Sequence, residues 1–351
     1  MDHGHGGMDM SGDMDMSMGG ISMTCDGKPF GAMGYGGRVS SWSNHFLAGF
    51  ALFFWALHWN LNIFKNYLTS SKHAPYTAQT TFTVFGVNVT WSLEGVLKIT
   101  LSFIGIIYQL LGHGHWSDNV CEDGTEREGH FSITHMHSWE NSWILFCFMV
   151  SGVVDVASVY LDLPPNTQHF FTAAAFGLNA FMLRQGTYVD MLDDMCYYLM
   201  FLAATGTALA MVAEITTPES LWAGVTRVYC TWMQAIWYFA CARILYEGRP
   251  AWDTMKPLPD MGPAMYVPVV FVMWMNILSF GMLALYLGMR WWYSAHLNEH
   301  LRAGCCVERT LLPADDTSGK LAEHHLKASL PHTMRKEAAN HELIPLVSKH
   351  T

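Results

Sequence analysis

The chain has 351 residues, of which 51% are hydrophobic and only 14% charged, and it carries a formal net charge of −10 at pH 7. Charges crowd into the termini and connections and leave long uncharged windows, which excludes a pair of soluble domains and reads as a polytopic, all-α membrane protein. No basic block marks a nucleic-acid surface.

Residues 1–43 read as a disordered tail, since MDHGHGGMDMSGDMDMSMGG has almost no aliphatic side chains with which to build a core. The tail has no basic stretch followed by an apolar run, so no cleavable signal peptide is expected and insertion falls to the first span. His3, His5, Met8 and Met10 are soft or borderline ligands suited to copper or zinc. Over these few residues the tail resembles the extracellular Met/His segments of the Ctr copper transporters.

The first span is expected at about 45–64, free of Asp, Glu, Lys and Arg, with Trp55, His58 and Asn62 along one face. His58 reads as a packed, hydrogen-bonded histidine. The second span, about 89–111, carries Glu94 and Lys98 four residues apart in the favourable order for a helical pair. Ser102, Gly105 and Gln109 continue that face, and the other sides are Leu, Ile, Phe and Val, so the polar side must face the bundle interior.

The connection 112–140 holds His113, His115, His135 and His137, a second candidate metal surface, together with Cys121. Cys25 and Cys121 fall on one side of the membrane and can pair if that side is lumenal or extracellular. Asp155 is the one charge of the third span, about 141–161. Pro164 and Pro165 break the chain before a fourth span that ends at Leu183 and contains Asn179. A fifth span at about 195–213 stops at Glu214, and TTPES offers the start of a sixth, whose face reads Arg227, Thr231, Gln234, Tyr238 and Cys241. A last span, about 265–289, has Asn276 and Ser279 as its internal polar residues and ends in an Arg290–Tyr293 interfacial anchor.

The expected architecture is therefore seven transmembrane helices over 44–293, with polar tails at 1–43 and 294–351. Lys and Arg after the first and last spans put the C-terminus in the cytosol and the N-terminus in the lumen or outside the cell. Glu94, Lys98, Asp155, Asn179, Arg227, Gln234 and Asn276 are expected to converge on one interior seam. The seam reads either as interhelical hydrogen bonds that fix packing or as a cavity for a substrate, ion or proton. No nucleophile motif supports an intramembrane acid–base enzyme, and no DRY or NPxxY sequence supports a G-protein-coupled receptor. In the tail, ELIPLV at 342–347 is a loose acidic dileucine pattern that would engage sorting adaptors.

NHFLAGFALFFWALHW at 44–59, LEG at 93–95, GVVDV at 152–156, QAIWYFA at 234–240 and PAWD at 250–253 occur in one order. Together they resemble the transmembrane protein 45 family, seven-helix membrane proteins of largely unknown molecular function. The resemblance implies a multi-pass protein of the plasma, endosomal, lysosomal or Golgi membrane, acting in trafficking or as a scaffold. It matches Glu94, Asp155 and Asp253 to motif acids. Vertebrate members have histidines where this chain has Glu140, Asn141, Gln185, Thr187 and Tyr197, so a shared intramembrane histidine site is not implied here. Transport or copper and zinc handling by the seam and the Met/His segments is the alternative expectation.

Overall fold

The computed structural model describes residues 25–27, 42–71, 75–82, 92–111, 120–185, 191–248 and 262–310. Within them the chain is all helical: α1 (Trp42–Thr69), α2 (Leu93–Leu111), α3 (Ile133–Tyr160), α4 (Thr167–Gln185), α5 (Met191–Thr216), α6 (Leu221–Glu247) and α7 (Gly262–Thr310). The only pairing of extended backbone among these residues is an isolated bridge between Val120 and Phe131. The chain divides into two compact units after Arg290, and the described part of the second is the helical stretch from Trp291 to Thr310.

Five helices, α1, α2, α3, α5 and the 262–295 part of α7, are long and apolar enough to cross a membrane. The chain is thus an integral-membrane type of helical bundle. α4 and α6 fall outside that set because they bury polar groups: α4 carries His169, Thr172 and Asn179 on its inner face, and α6 carries Arg227, Thr231 and Gln234. Local sequence explains the breaks. Ser220 caps α6 by accepting a hydrogen bond from the Ala223 amide, and Gly248 ends it in the left-handed region at φ 64°.

Neighbours in the sequence are mostly neighbours in space. α2 packs on α3, α3 on α4, α4 on α5 and α5 on α6, while α1 returns to pack on α6. Trp55 and Trp59 of α1 reach Glu94 of α2 and close the ring. α7 lies outside it, with Phe271 against Trp237, Tyr286 against Phe64, and the Tyr229 hydroxyl donating to Met275 O. Trp59, Phe176, Met200, Met211, Met233 and Trp237 fill the middle. Large apolar side chains such as Leu101, Phe103, Ile104, Leu209 and Phe280 face outward, as they do where lipid replaces water.

The helices come closest where glycines meet. A methyl group on Gly95 would stand 2.9 Å from the Gly152 carbonyl oxygen and from Asp155 Cβ, and one on Gly152 would stand 2.8 Å from Gly95 O and Lys98 Cβ. Such approach of backbones through small residues is the usual device of membrane helix pairs. Here it lets a lysine of α2 reach an acid of α3.

Candidate functional site

Glu94 and Lys98 lie one turn apart on the inner face of α2, 6% and 7% exposed, and Asp155 of α3 is fully buried. Lys98 Nζ sits 2.6 Å from Asp155 Oδ2 and 3.6 Å from Glu94 Oε1, so the ammonium is shared by two carboxylates. The indole nitrogens of Trp55 and Trp59 both donate to Glu94 Oε1, at 2.9 and 3.0 Å. Lys98 also stands 4.8 Å from the centre of the Trp55 ring, within cation–π range.

His58 faces the same acid, its Nε2 3.9 Å from Glu94 Oε2. Asn62 donates through Nδ2 to the His58 carbonyl at 2.8 Å, which fixes the orientation of the amide, and the same Nδ2 lies 3.2 Å from His58 Nδ1. Asn62 thus orients the ring, with Nε2 on the side of Glu94.

A second buried cluster lies on the other side of Trp59. Arg227 of α6 and Glu214 of α5 are both fully buried side chains, with Arg227 Nε 3.2 Å from Glu214 Oε2. His169 Nε2 of α4 is 3.7 Å from the same oxygen. Arg227 Nη2 donates to the Gln79 carbonyl at 2.8 Å, and its guanidinium stacks 4.2 Å from the centre of the Trp59 ring. Tyr76, from the α1–α2 connection, is buried beside this pair; burial first, then Glu214, push its hydroxyl up to about 12 against the pull of Arg227. Trp59 thus joins the clusters, its N–H on one acid and its ring on the arginine of the other.

A polar cleft of about 560 Å³ opens at the same end of the bundle, between the Ala78–Thr81 segment and the α3–α4 connection, and His169 forms part of its wall. Ser158, also on the cleft, is hydrogen-bonded to the Asp155 carbonyl oxygen and to Gln168. The cleft therefore borders the second cluster through His169 and Gln79, and comes no nearer the first than Ser158.

Of the seven seam residues, the structure joins Glu94, Lys98 and Asp155 in one cluster and puts Arg227 in the other. Gln234 is farther along α6, donating to Thr207 Oγ1 at 2.8 Å, and Asn179 is buried on α4. Asn276 is not part of the interior. It is exposed on α7 and donates to the carbonyl of Val272 in its own helix, because α7 packs outside the ring. His135 and His137 begin α3, with His137 Nδ1 2.8 Å from Glu140 Oε2. His3, His5, Met8, Met10, His113, His115 and Asp253 lie outside the described residues. Among the described residues no three His, Cys, Asp or Glu side chains converge as a metal-ion site would require. Cys25 and Cys121 form a disulfide across 96 residues of sequence.

Sequence reasoning passed over Trp59, His169, Glu214 and Tyr76. The Trp55, His58, Trp59 spacing on one helical face was the available signal for the first. Glu214 and His169 sit at helix ends, where a charge ordinarily marks the water boundary.

A family model described as a family of unknown function (DUF716) matches residues 165–252, the stretch from α4 to the end of α6 that supplies His169, Glu214 and Arg227. The transmembrane protein 45 proteins belong to that family, and over this stretch the chain is similar to it.

Proposed function

We propose that this chain is a multi-pass protein that moves protons through its bundle, as a proton-linked transporter of the plasma membrane or of endosomal, lysosomal or Golgi membranes. The observation that carries the reading is Lys98 held between Glu94 and Asp155. With both acids ionised the group has two negative charges for one positive, and all three side chains are buried. Packing alone does not call for this, since apolar side chains of similar volume usually stabilise a buried site as well as an ion pair does or better. Ionisable groups kept inside a membrane bundle characteristically mark ion or proton routes.

The orientation that goes with this reading is N-terminus outside or lumenal and C-terminus cytosolic, with α4 and α6 spanning as the polar inner members of seven. The Cys25–Cys121 pairing supports it, because disulfides persist on the oxidising side of a membrane. The cleft beside His169 then faces the cytosol.

The test is proton flux in vesicles containing the purified full chain and an entrapped pH dye, with a potassium ionophore to balance charge. The wild type is expected to dissipate an imposed pH gradient faster than protein-free vesicles, and Glu94→Gln or Asp155→Asn to lower the rate while the protein stays monodisperse. A wild-type rate equal to that of empty vesicles overturns the reading. It would favour a second one, a non-catalytic scaffold or trafficking protein, for which the sealing of Glu94 by two tryptophans is the favouring observation.

A further inference from the structure

We infer that the α5–α6 interface is the path of the proton, with the Thr207–Gln234 pair as its midpoint and the His45–Tyr197 pair as its outlet at the end opposite the cleft. The inference rests on the proton-moving function proposed above and names a route that starts at the Glu214 cluster, which Trp59 joins to the Lys98 cluster.

Polar groups of α5 and α6 meet at three levels of their interface, with apolar side chains such as Met200, Ala203, Ala204 and Met233 between them. Glu214 faces Arg227, and seven residues farther along each helix Thr207 faces Gln234. Next, Trp237 Nε1 donates to the Cys196 carbonyl at 2.8 Å. At the far end Tyr197 Oη lies 3.0 Å from His45 Nε2, with the rings of Tyr238 and Tyr246 packed on the histidine. From Glu214 to Tyr197 the helix rises about 25 Å, most of the ~30 Å hydrocarbon thickness of a bilayer. A row of polar contacts confined to one helix end would fix packing only there. This set recurs at the cleft end, at the middle and at the far end.

The midpoint is unusual in chemistry as well as place. Thr207 and Gln234 are both fully buried, and Thr207 in turn donates to the Ala203 carbonyl. Gln234 Oε1 receives no hydrogen bond from the protein. Buried polar atoms left by the protein are normally satisfied by internal water, so Gln234 Oε1 offers an acceptor for one at the midpoint. Its donor set does not suit a metal cation: calcium, for example, takes six to eight oxygen ligands. A proton needs one hydrogen-bond acceptor at a time.

In the transfer, Glu214 takes a proton from the cleft side by way of His169 and releases it to water at Gln234. His45 accepts a proton on one ring nitrogen and yields one from the other. Glu214 ends as it began, His45 ends as the opposite tautomer and is reset when its ring turns over, and one proton has crossed.

The experiment uses the full chain in phosphatidylcholine vesicles with the same dye. Thr207→Val keeps the side-chain shape and removes only the hydroxyl, and Gln234→Leu removes the amide. Each is expected to slow proton entry about tenfold or more, as loss of one hydrogen-bonding relay group implies. Gln234→Glu, which can itself carry a proton, is expected to keep or exceed the wild-type rate. If the wild type moves protons and Gln234→Leu and Thr207→Val match it, the route is wrong while the function stands. Slow flux in all three Thr207 and Gln234 variants, Gln234→Glu included, points to a packing role and also overturns the route. If the wild type moves no protons, function and route fall together.

Discussion

Gly152→Ala tests whether the close approach of α2 and α3 is what holds the Lys98 cluster. The added methyl would stand 2.8 Å from Gly95 O, 2.8 Å from Lys98 Cβ and 3.1 Å from Ile99 Cγ1. Ordinary contact begins at 3.4 Å, so the helices must part by 3.4 − 2.8, or about 0.6 Å. Two of the three obstacles are a backbone oxygen and a side-chain stem, neither of which can rotate away. Overpacking of this kind costs about 1–3 kcal/mol, offset by up to ~1 kcal/mol from the better helix propensity of alanine, for a net loss of about 1 kcal/mol. Gly105→Ala is the matched control on the same interface. Its methyl would meet Leu145 Cδ1 at 2.8 Å, the end of a flexible side chain, so it is expected to be neutral or up to ~1 kcal/mol stabilising. Thermal unfolding in detergent ranks the two, and vesicle flux should fall only for Gly152→Ala. Equal stability and equal flux of the two variants would refute the reasoning.

Trp59→Phe keeps an aromatic ring beside Arg227 and removes the N–H that serves Glu94; a loss of about 2 kcal/mol is expected, that of a hydrogen bond to a charged group. Trp59→Leu should lose more in the same unfolding assay, and equal losses would mean that the Arg227 stack contributes nothing. For Tyr76, whose hydroxyl is raised to about 12 from an ordinary value near 10, the folded chain keeps a proton that the unfolded chain gives up. Stability should therefore fall as pH climbs from about 10 to about 12, and Tyr76→Phe should flatten that fall in melting curves. Alkylation before and after reduction should differ by two thiols, the pair Cys25 and Cys121, and that difference should vanish in the Cys25→Ser, Cys121→Ser double variant. The Met/His tail is expected to bind copper, and equal binding by the full chain and by one lacking residues 1–30 would remove that role.

Apolar windows and breakers made the helices readable. Pro164 and Pro165 and the TTPES turn fall at helix boundaries, and every expected span coincides with a helix. Membrane capability by length and composition holds for five of the seven, because the inner helices α4 and α6 trade apolarity for buried polar groups. The Glu94–Lys98 pair was legible as an i, i+4 spacing. That Asp155 completes it depends on the Gly95–Gly152 contact, a tertiary fact no spacing contains. Asn276 shows the converse, since a lone amide on an apolar helix reads as inward facing, yet it is exposed and bonded to its own backbone.

Helix position explains how so apolar a bundle keeps these charges. Glu94 is the second residue of α2, at the positive end of the helix dipole. Asp155 is within two turns of the end of α3, Glu214 within one turn of the end of α5, and His169 is the third residue of α4. Arg227 is the seventh of α6. All of these ends lie beside the α1–α2, α3–α4 and α5–α6 connections, one face of the bundle. The charges of the two clusters thus lie near one boundary, where desolvation is less severe than at the midplane, and Asp193, Asp194, Arg184, Arg243 and Glu247 lie at the other, while the Thr207–Gln234 contact between them is neutral. A charge that crosses the bundle meets its greatest cost there. Replacing a boundary acid changes how readily a proton is loaded, whereas altering the central pair changes the barrier itself, so the two kinds of variant should separate in the dependence of flux on the size of the imposed gradient.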